Sequence, residues 1–330
     1  MFDVINSRKN TDYIAMWFDV RKELGISDAM SIGRLNKLNG VIDWQQYPHS
    51  KMDGLGGVAT MLREYGYPCY PLPVGRDNSE PSFLNALLAS LKEKKDSHSK
   101  SISWKKNYIC GYDNEAVINT HFFTENETKQ IKANGKKRKV ALSTYILWAL
   151  NKSIADNLLS SKQSYFWFYP VNLRGAVEGK GDTSNFSSGV NVCVSNDIHA
   201  RDLQGRIREK LRSSEYWVTW KLAHIGRFIG MQGVRSLYKK MSEKNFYAGS
   251  FSYLGSWPLK DESNPKKDEN EAWVTCGIGT KNYPVSTGVM EWYGQLSLGL
   301  KLHPWIANDE RIGKKCLSDW KNNLLQEVKA

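Results

Sequence analysis

His49 is followed four residues later by Asp53 and then directly by Gly54, inside the stretch Trp44-Gln45-Gln46-Tyr47-Pro48-His49-Ser50-Lys51-Met52-Asp53-Gly54-Leu55-Gly56-Gly57. Imidazole is the side chain whose ordinary pKa lies nearest neutrality, so His49 is the candidate general base for a hydroxyl or an amine. A carboxylate four positions on can fix a tight turn by pairing with a cation remote in sequence. A buried Asp53 without such a partner would be costly, so a cation has to lie near it. Gly54 allows backbone angles that a Cβ would forbid. Gly56 and Gly57 let the backbone approach a neighbour closely, or open a helix leading out of the site.

The elements that must hold these residues follow from periodicity. Residues 12–40 read as a helix, a break and a polar segment, with Tyr13, Met16, Trp17, Val20 and Leu24 on one apolar face and Gly25 closing it. Residues 40–48 read as extended and lead into the histidine. A helix over 57–66 leaves it, and Pro68, Pro71 and Pro73 impose irregular chain beyond. Further helices are expected over 82–95, from Thr124 to Ala133, over 143–159, across 200–240 with an interruption at 226–233, and over 309–328. Thr124 and Glu127 make a capping box, and Asn134-Gly135 should end that helix. Strands are expected over 115–123, 164–171, 186–194, 245–254, 273–277, 289–292 and 296–302. A charged loop spans 261–271.

Composition narrows the class. The chain has 330 residues, 41% hydrophobic and 12% aromatic, with 12 Trp, which fits a globular protein of two lobes. No apolar run is long enough to span a membrane, and Met1-Phe2-Asp3-Val4-Ile5-Asn6 lacks a signal-peptide pattern. The five Cys (69, 110, 193, 276 and 316) show no C-x-x-C spacing, which reads as buried, reduced thiols of a cytoplasmic protein. The six His are dispersed, so no metal site is expected. The net charge is +12, concentrated in Lys92–Lys106 and Lys129–Lys139. That excess can mean nucleic acid, an anionic surface, a phosphorylated substrate or simply a solvated loop, and no nucleic-acid-binding motif accompanies it.

The His-x-x-x-Asp-Gly pattern resembles the active-site signature of the chloramphenicol acetyltransferase, condensation-domain and plant acyltransferase superfamily. Four later segments are similar to that superfamily in order. They are Glu125–Arg174, ending Pro170-Val171-Asn172-Leu173-Arg174; Thr183-Ser184-Asn185-Phe186; Gly249-Ser250-Phe251-Ser252-Tyr253-Leu254-Gly255-Ser256-Trp257; and Gly294–Pro304 with the final helix. Fewer than fifty residues precede His49, so the first lobe is abbreviated. A single His, preceded by Pro48, stands where peptide-synthetase condensation domains usually carry two. The Asp-Phe-Gly-Trp-Gly motif of the plant branch is absent.

The resemblance implies an α/β fold of two lobes, mixed sheets flanked by helices with a channel between them. The lobes are expected over 1–124, carrying the histidine motif, and 125–330. It implies transfer of an acyl group from a thioester, acyl-CoA in the first instance, to a small hydroxyl or amine acceptor. The catalytic candidates are His49, Asp53, Ser250 and Ser252, with the serines supporting the oxyanion from one strand face. Asp53 is expected to face away from substrate and pair with an arginine; Arg174 is the candidate, and with Gly54 it belongs to the motif's framework. Asn172, Asn185 and Trp257 are candidate substrate contacts. The alternatives are a stand-alone condensation domain fed by an acyl carrier protein, and a non-catalytic binding protein that kept the fold.

Overall fold

The computed structural model describes residues 14–91, 101–110, 116–242, 247–259 and 268–327. The first 13 residues, the Lys92–Lys100 part of the basic cluster and most of the charged 261–271 loop lie outside the described residues. Two sheets organise the chain. The smaller has three strands in the order β2-β1-β8: β1 (Ala29–Asn36), β2 (Val41–Pro48) and β8 (Glu271–Cys276), all antiparallel. The larger has seven strands and runs β3-β10-β9-β6-β4-β5, with β7 also paired to β9. Its members are β3 (Ile118–Phe122), β4 (Ser164–Asn172), β5 (Ser187–Ser195), β6 (Tyr247–Ser250), β7 (Tyr253–Trp257), β9 (Val285–Trp292) and β10 (Gln295–Leu302). β6 is parallel to both β4 and β9, and the outer pairs are antiparallel. Both sheets draw on both halves of the chain. β3 joins the large sheet although it precedes residue 125, and β8 joins the small one although it follows it.

The large core lies between this sheet and the helices α5 (Leu142–Leu158) and α9 (Glu310–Leu325), anchored by Trp167, Trp320 and Tyr145. A second cluster under the small sheet holds Trp257, Trp273 and Trp292, with Val58, Met61 and Leu62 of α2 (Gly54–Glu64). The sheets meet where β8 crosses β9 and β10. A Cβ on Gly288 would stand 2.3 Å from the Thr275 carbonyl oxygen and one on Gly299 2.0 Å from it, so only glycine permits the crossing.

Several expectations shift. β1 occupies residues read as a polar segment; Ser31, Gly33, Arg34 and Asn36 weaken its strand signal, and pairing on both sides supplies it instead. The Thr124–Glu127 capping box is present, but α4 (Glu125–Lys137) runs past Asn134-Gly135. Asn134 Nδ2 donates to Leu324 O at 3.1 Å, and Gly135 packs against Tyr145, so both residues are held inside the helix. The 200–240 region divides into α6 (Ala200–Arg212), α7 (Glu215–Ala223) and α8 (Gly226–Ser242), the last kinked at Gly230, whose φ is +61°. The expected strand over 245–254 is two strands, β6 and β7, broken at Phe251-Ser252. Cys110 is half-buried, whereas Cys69, Cys193, Cys276 and Cys316 are buried. No helix among the described residues is long and apolar enough to cross a membrane.

Candidate active site

The histidine sits on the turn between β2 and α2, which is anchored at both ends. His49 N donates to Asp28 O at 2.8 Å, and Ser50 Oγ donates to Asp28 Oδ2 at 2.5 Å. Asp53 is the N-cap of α2, its Oδ1 accepting from Gly56 N at 2.9 Å. Arg174, 121 positions away, grips the same carboxylate bidentately, Nη2 to Oδ1 at 2.8 Å and Nη1 to Oδ2 at 2.9 Å. Phe186 N adds a fourth hydrogen bond, to Oδ2 at 2.9 Å. Asp53 and Arg174 are 4% and 5% exposed, so this is a buried ion pair whose value depends on complete hydrogen bonding. That condition is met. The remaining Arg174 donors go to Asp182 O (Nε, 2.8 Å), Ser184 O (Nη2, 3.0 Å) and Asn172 Oδ1 (Nη1, 3.3 Å). Asp53 therefore points away from the open space and fastens the histidine turn to the segment 172–186.

Gly54 serves a different purpose from the one expected. It is an ordinary helical residue, and what excludes a side chain is space: a Cβ would meet Leu254 Cδ2 at 2.9 Å. Gly56 does make a close approach, since a Cβ there would stand 2.0 Å from Thr183 O.

His49 Nδ1 lies 2.9 Å from Met52 O. A carbonyl only accepts, so Nδ1 carries the proton and Nε2 the free lone pair, the tautomer a general base requires. Among the described residues Nε2 has no hydrogen-bond partner. Burial lowers the imidazole pKa below its ordinary value, the Met52 hydrogen bond and the Asp53 charge oppose the shift, and the Arg21 charge reinforces it. His49 is thus neutral and able to accept a proton near pH 7.

The ring lines a cavity of about 320 Å³, the size of a small-molecule site. Ser250 and Ser252 line the same cavity, over 200 positions away in sequence, together with Trp17, Arg21, Phe168, Tyr238, Tyr247, Leu254 and Tyr283. Neither serine Oγ has a hydrogen-bond partner among the described residues. Cys276 also lines it, but burial pushes its thiol up to about 11, so it stays protonated and is no nucleophile near neutrality. Among the described residues no Lys lines the cavity, and in the second basic run Lys132 pairs instead with Glu291 at 2.7 Å. No cluster of metal-ligating side chains occurs among the described residues.

The three candidate substrate contacts lie elsewhere. Asn172 braces Arg174 and donates to Pro73 O at 2.7 Å. Asn185 Nδ2 donates to His49 O at 2.7 Å and stands 3.3 Å from Nδ1, so it holds the turn from behind. Trp257 is in the core, its Nε1 donating to Leu254 O at 2.9 Å. None of the three is part of the cavity lining. Sequence reading missed Arg21, although one signal pointed to it: a charge four residues after Trp17 on an otherwise apolar helix face.

No protein-family model matches the chain, and no curated protein sequence matches it. Solved structures do. The nonribosomal peptide synthetase FmoA3 superposes over 87% of this chain with a TM-score of 0.56 and 12% identity, and the matched part is 31% of its own length. The condensation domain from monacolin K polyketide synthase MokA superposes over 83% with a TM-score of 0.51 and 13% identity, and 66% of it is spanned. The chain is thus shorter than either neighbour, and identity this low bears on the fold alone. The protein has the mixed α/β, condensation-domain-like fold that its His-x-x-x-Asp-Gly stretch implies.

Proposed function

We propose that this protein transfers an acyl group from a thioester, acyl-CoA in the first instance, to a hydroxyl or amine, with His49 as general base. One observation carries the reading. A neutral imidazole with Nδ1 locked to a carbonyl shares a cavity wall with two serine hydroxyls, and among the described residues neither Nε2 nor those hydroxyls have a partner. Nε2 takes the proton from the acceptor as its oxygen or nitrogen attacks the thioester carbonyl carbon. The C–S bond breaks as the tetrahedral intermediate collapses, and Nε2–H returns the proton to the leaving thiolate. Ser250 or Ser252 donates to the oxyanion, a contribution on the order of 2.7–4 kcal/mol to the barrier. Asp53 and Arg174 fix the turn and touch no reacting atom.

A carrier-bound thioester is the second reading, favoured by the fold shared with a polyketide-synthase condensation domain. Mass spectrometry tests the proposal directly. The protein is incubated with acyl-CoA donors from acetyl to palmitoyl and a mixed set of alcohols, amines and hydroxy acids. Acylated product formed by the wild type and not by His49→Ala is expected; equal product from both overturns the reading. Product formed only from carrier-loaded acyl groups selects the condensation alternative, and none from any donor leaves a binding protein.

A further inference from the structure

Among the described residues, Arg21 is the only Arg or Lys in the cavity lining, and no salt bridge holds it. Its Nη2 donates to Ser27 O at 3.2 Å, Nε is buried without a partner, and no carboxylate pairs with it among the described residues. Asp28, whose charge acts on it, is instead engaged by Ser50 Oγ at 2.5 Å. The guanidinium stands 5.3 Å above the Phe18 ring, and that ring lies 5.6 Å from the His49 imidazole. Phe18 thus lies against both the guanidinium and the imidazole. The phenols of Tyr238 and Tyr283 lie close enough to act on the guanidinium electrostatically, and both line the cavity. Arg21 is held in place by its helix, α1 (Ala15–Glu23). Trp17 Nε1 donates to Ala223 O at 2.8 Å, and Glu23 pairs with Arg235 of α8 at 2.8 Å.

A guanidinium offers five donors in a planar fork that matches a carboxylate. In a mostly apolar cavity, a cation left to water alone loses that solvation when a ligand enters, unless the ligand brings an anion. We infer that Arg21, with Tyr238 and Tyr283 beside it, binds the carboxylate of the acyl acceptor, so that the acceptor is a hydroxy acid or amino acid whose nucleophilic end reaches His49. This rests on the acyl-transfer reading for what the acceptor does, but not for what the cavity binds. The length between the two ends is set by the apolar wall of Met30, Ile32 and Leu254.

Binding measured without any acyl donor separates the two. Straight ω-hydroxycarboxylates of 4–10 carbons and their primary amides are titrated calorimetrically into wild type, Arg21→Met and Arg21→Lys. A charged hydrogen-bonded pair implies that the best carboxylate binds wild type about ten- to a hundredfold more tightly than its amide. Arg21→Met should remove that preference, and Arg21→Lys, which keeps charge but loses the fork, should retain only part of it. Melting temperatures confirm that each variant is folded, and the lysine variant carries the test if the methionine one is not. The inference is overturned if no carboxylate outbinds its amide in wild type, or if the preference survives in the folded Arg21 variants. It is also overturned if inorganic phosphate or CoA displaces the carboxylate, because the anion would then belong to the donor. Carboxylate preference without any acyl transfer overturns the catalytic reading alone.

Discussion

Four hydrogen bonds converge on the Asp53 carboxylate, two of them from one buried guanidinium. Asp53→Asn keeps the shape but turns an amide NH₂ towards groups that can only donate, and leaves Arg174 charged and uncompensated. Breaking a buried pair in this way costs roughly 3–5 kcal/mol. Urea denaturation should read that loss, with transfer activity falling as the turn loosens; a change below about 1 kcal/mol would mean that the pair is not what holds the turn. The Asp53–Arg174 pair was legible from residue type and order, because a buried carboxylate demands a cation. Asn172, Asn185 and Trp257 were placed on the wrong surface. Their neighbourhood was right, but which side of a strand end a side chain faces depends on partners such as Pro73 O and His49 O that lie outside any local pattern.

Helix α2 carries the histidine turn against the segment around Thr183, and the contact is backbone to backbone. Gly56→Ala places a Cβ 2.0 Å from Thr183 O, an atom that cannot rotate away. We expect a loss of roughly 1–3 kcal/mol from overpacking, with a larger proportional loss of activity, because the displaced helix bears Asp53 at its N-cap. The contrast is Thr124→Ala, which removes the capping box of α4 far from the cavity. It should cost about 1 kcal/mol and leave the transfer rate unchanged. Melting curves and turnover on both variants check the pair, and equal effects on activity would contradict the role given to α2. Most helices were legible because their apolar stripes and caps are local. β1 was not: its central place rests on β2 and on β8, more than 230 residues away, and polar residues such as Ser31 and Asn36 advertise neither partner.

At the scale of the molecule, Glu271 of β8 ties the small sheet to the segment that follows α2. This carboxylate is 3% exposed, accepts from Arg34 Nε at 2.5 Å and from the Tyr67 hydroxyl, and stands 3.3 Å from Trp273 Nε1. Acid should weaken the fold through its histidines. Burial lowers the pKa of His49 and His121, and takes His303 from 6.5 to about 4. Each is neutral in the folded state and binds a proton more readily once unfolded. Their contribution is therefore fully present above pH 6.5 and is lost as the pH falls from there through the folded values. The urea midpoint should drop between pH 7 and pH 4, and less steeply in His303→Gln; a midpoint constant across that range would contradict it. The mixed α/β plan was legible because motif and segments came in order. The cavity's cation was not, since it acquires meaning only when helix and sheet close around it.

The most direct measurement is the pH profile of acceptor-dependent CoA release, followed from pH 4 to pH 9 in wild type and His49→Ala. If the neutral imidazole is the base, kcat/KM falls tenfold per pH unit on the acid side, with a midpoint below 6.5 because burial lowers that pKa. His49→Ala should lose about 10²–10⁴-fold and the acid limb with it, while its melting temperature stays that of wild type. A folded His49→Ala protein within a few-fold of wild type, or one with the same acid limb, would contradict the assignment of His49 as the base.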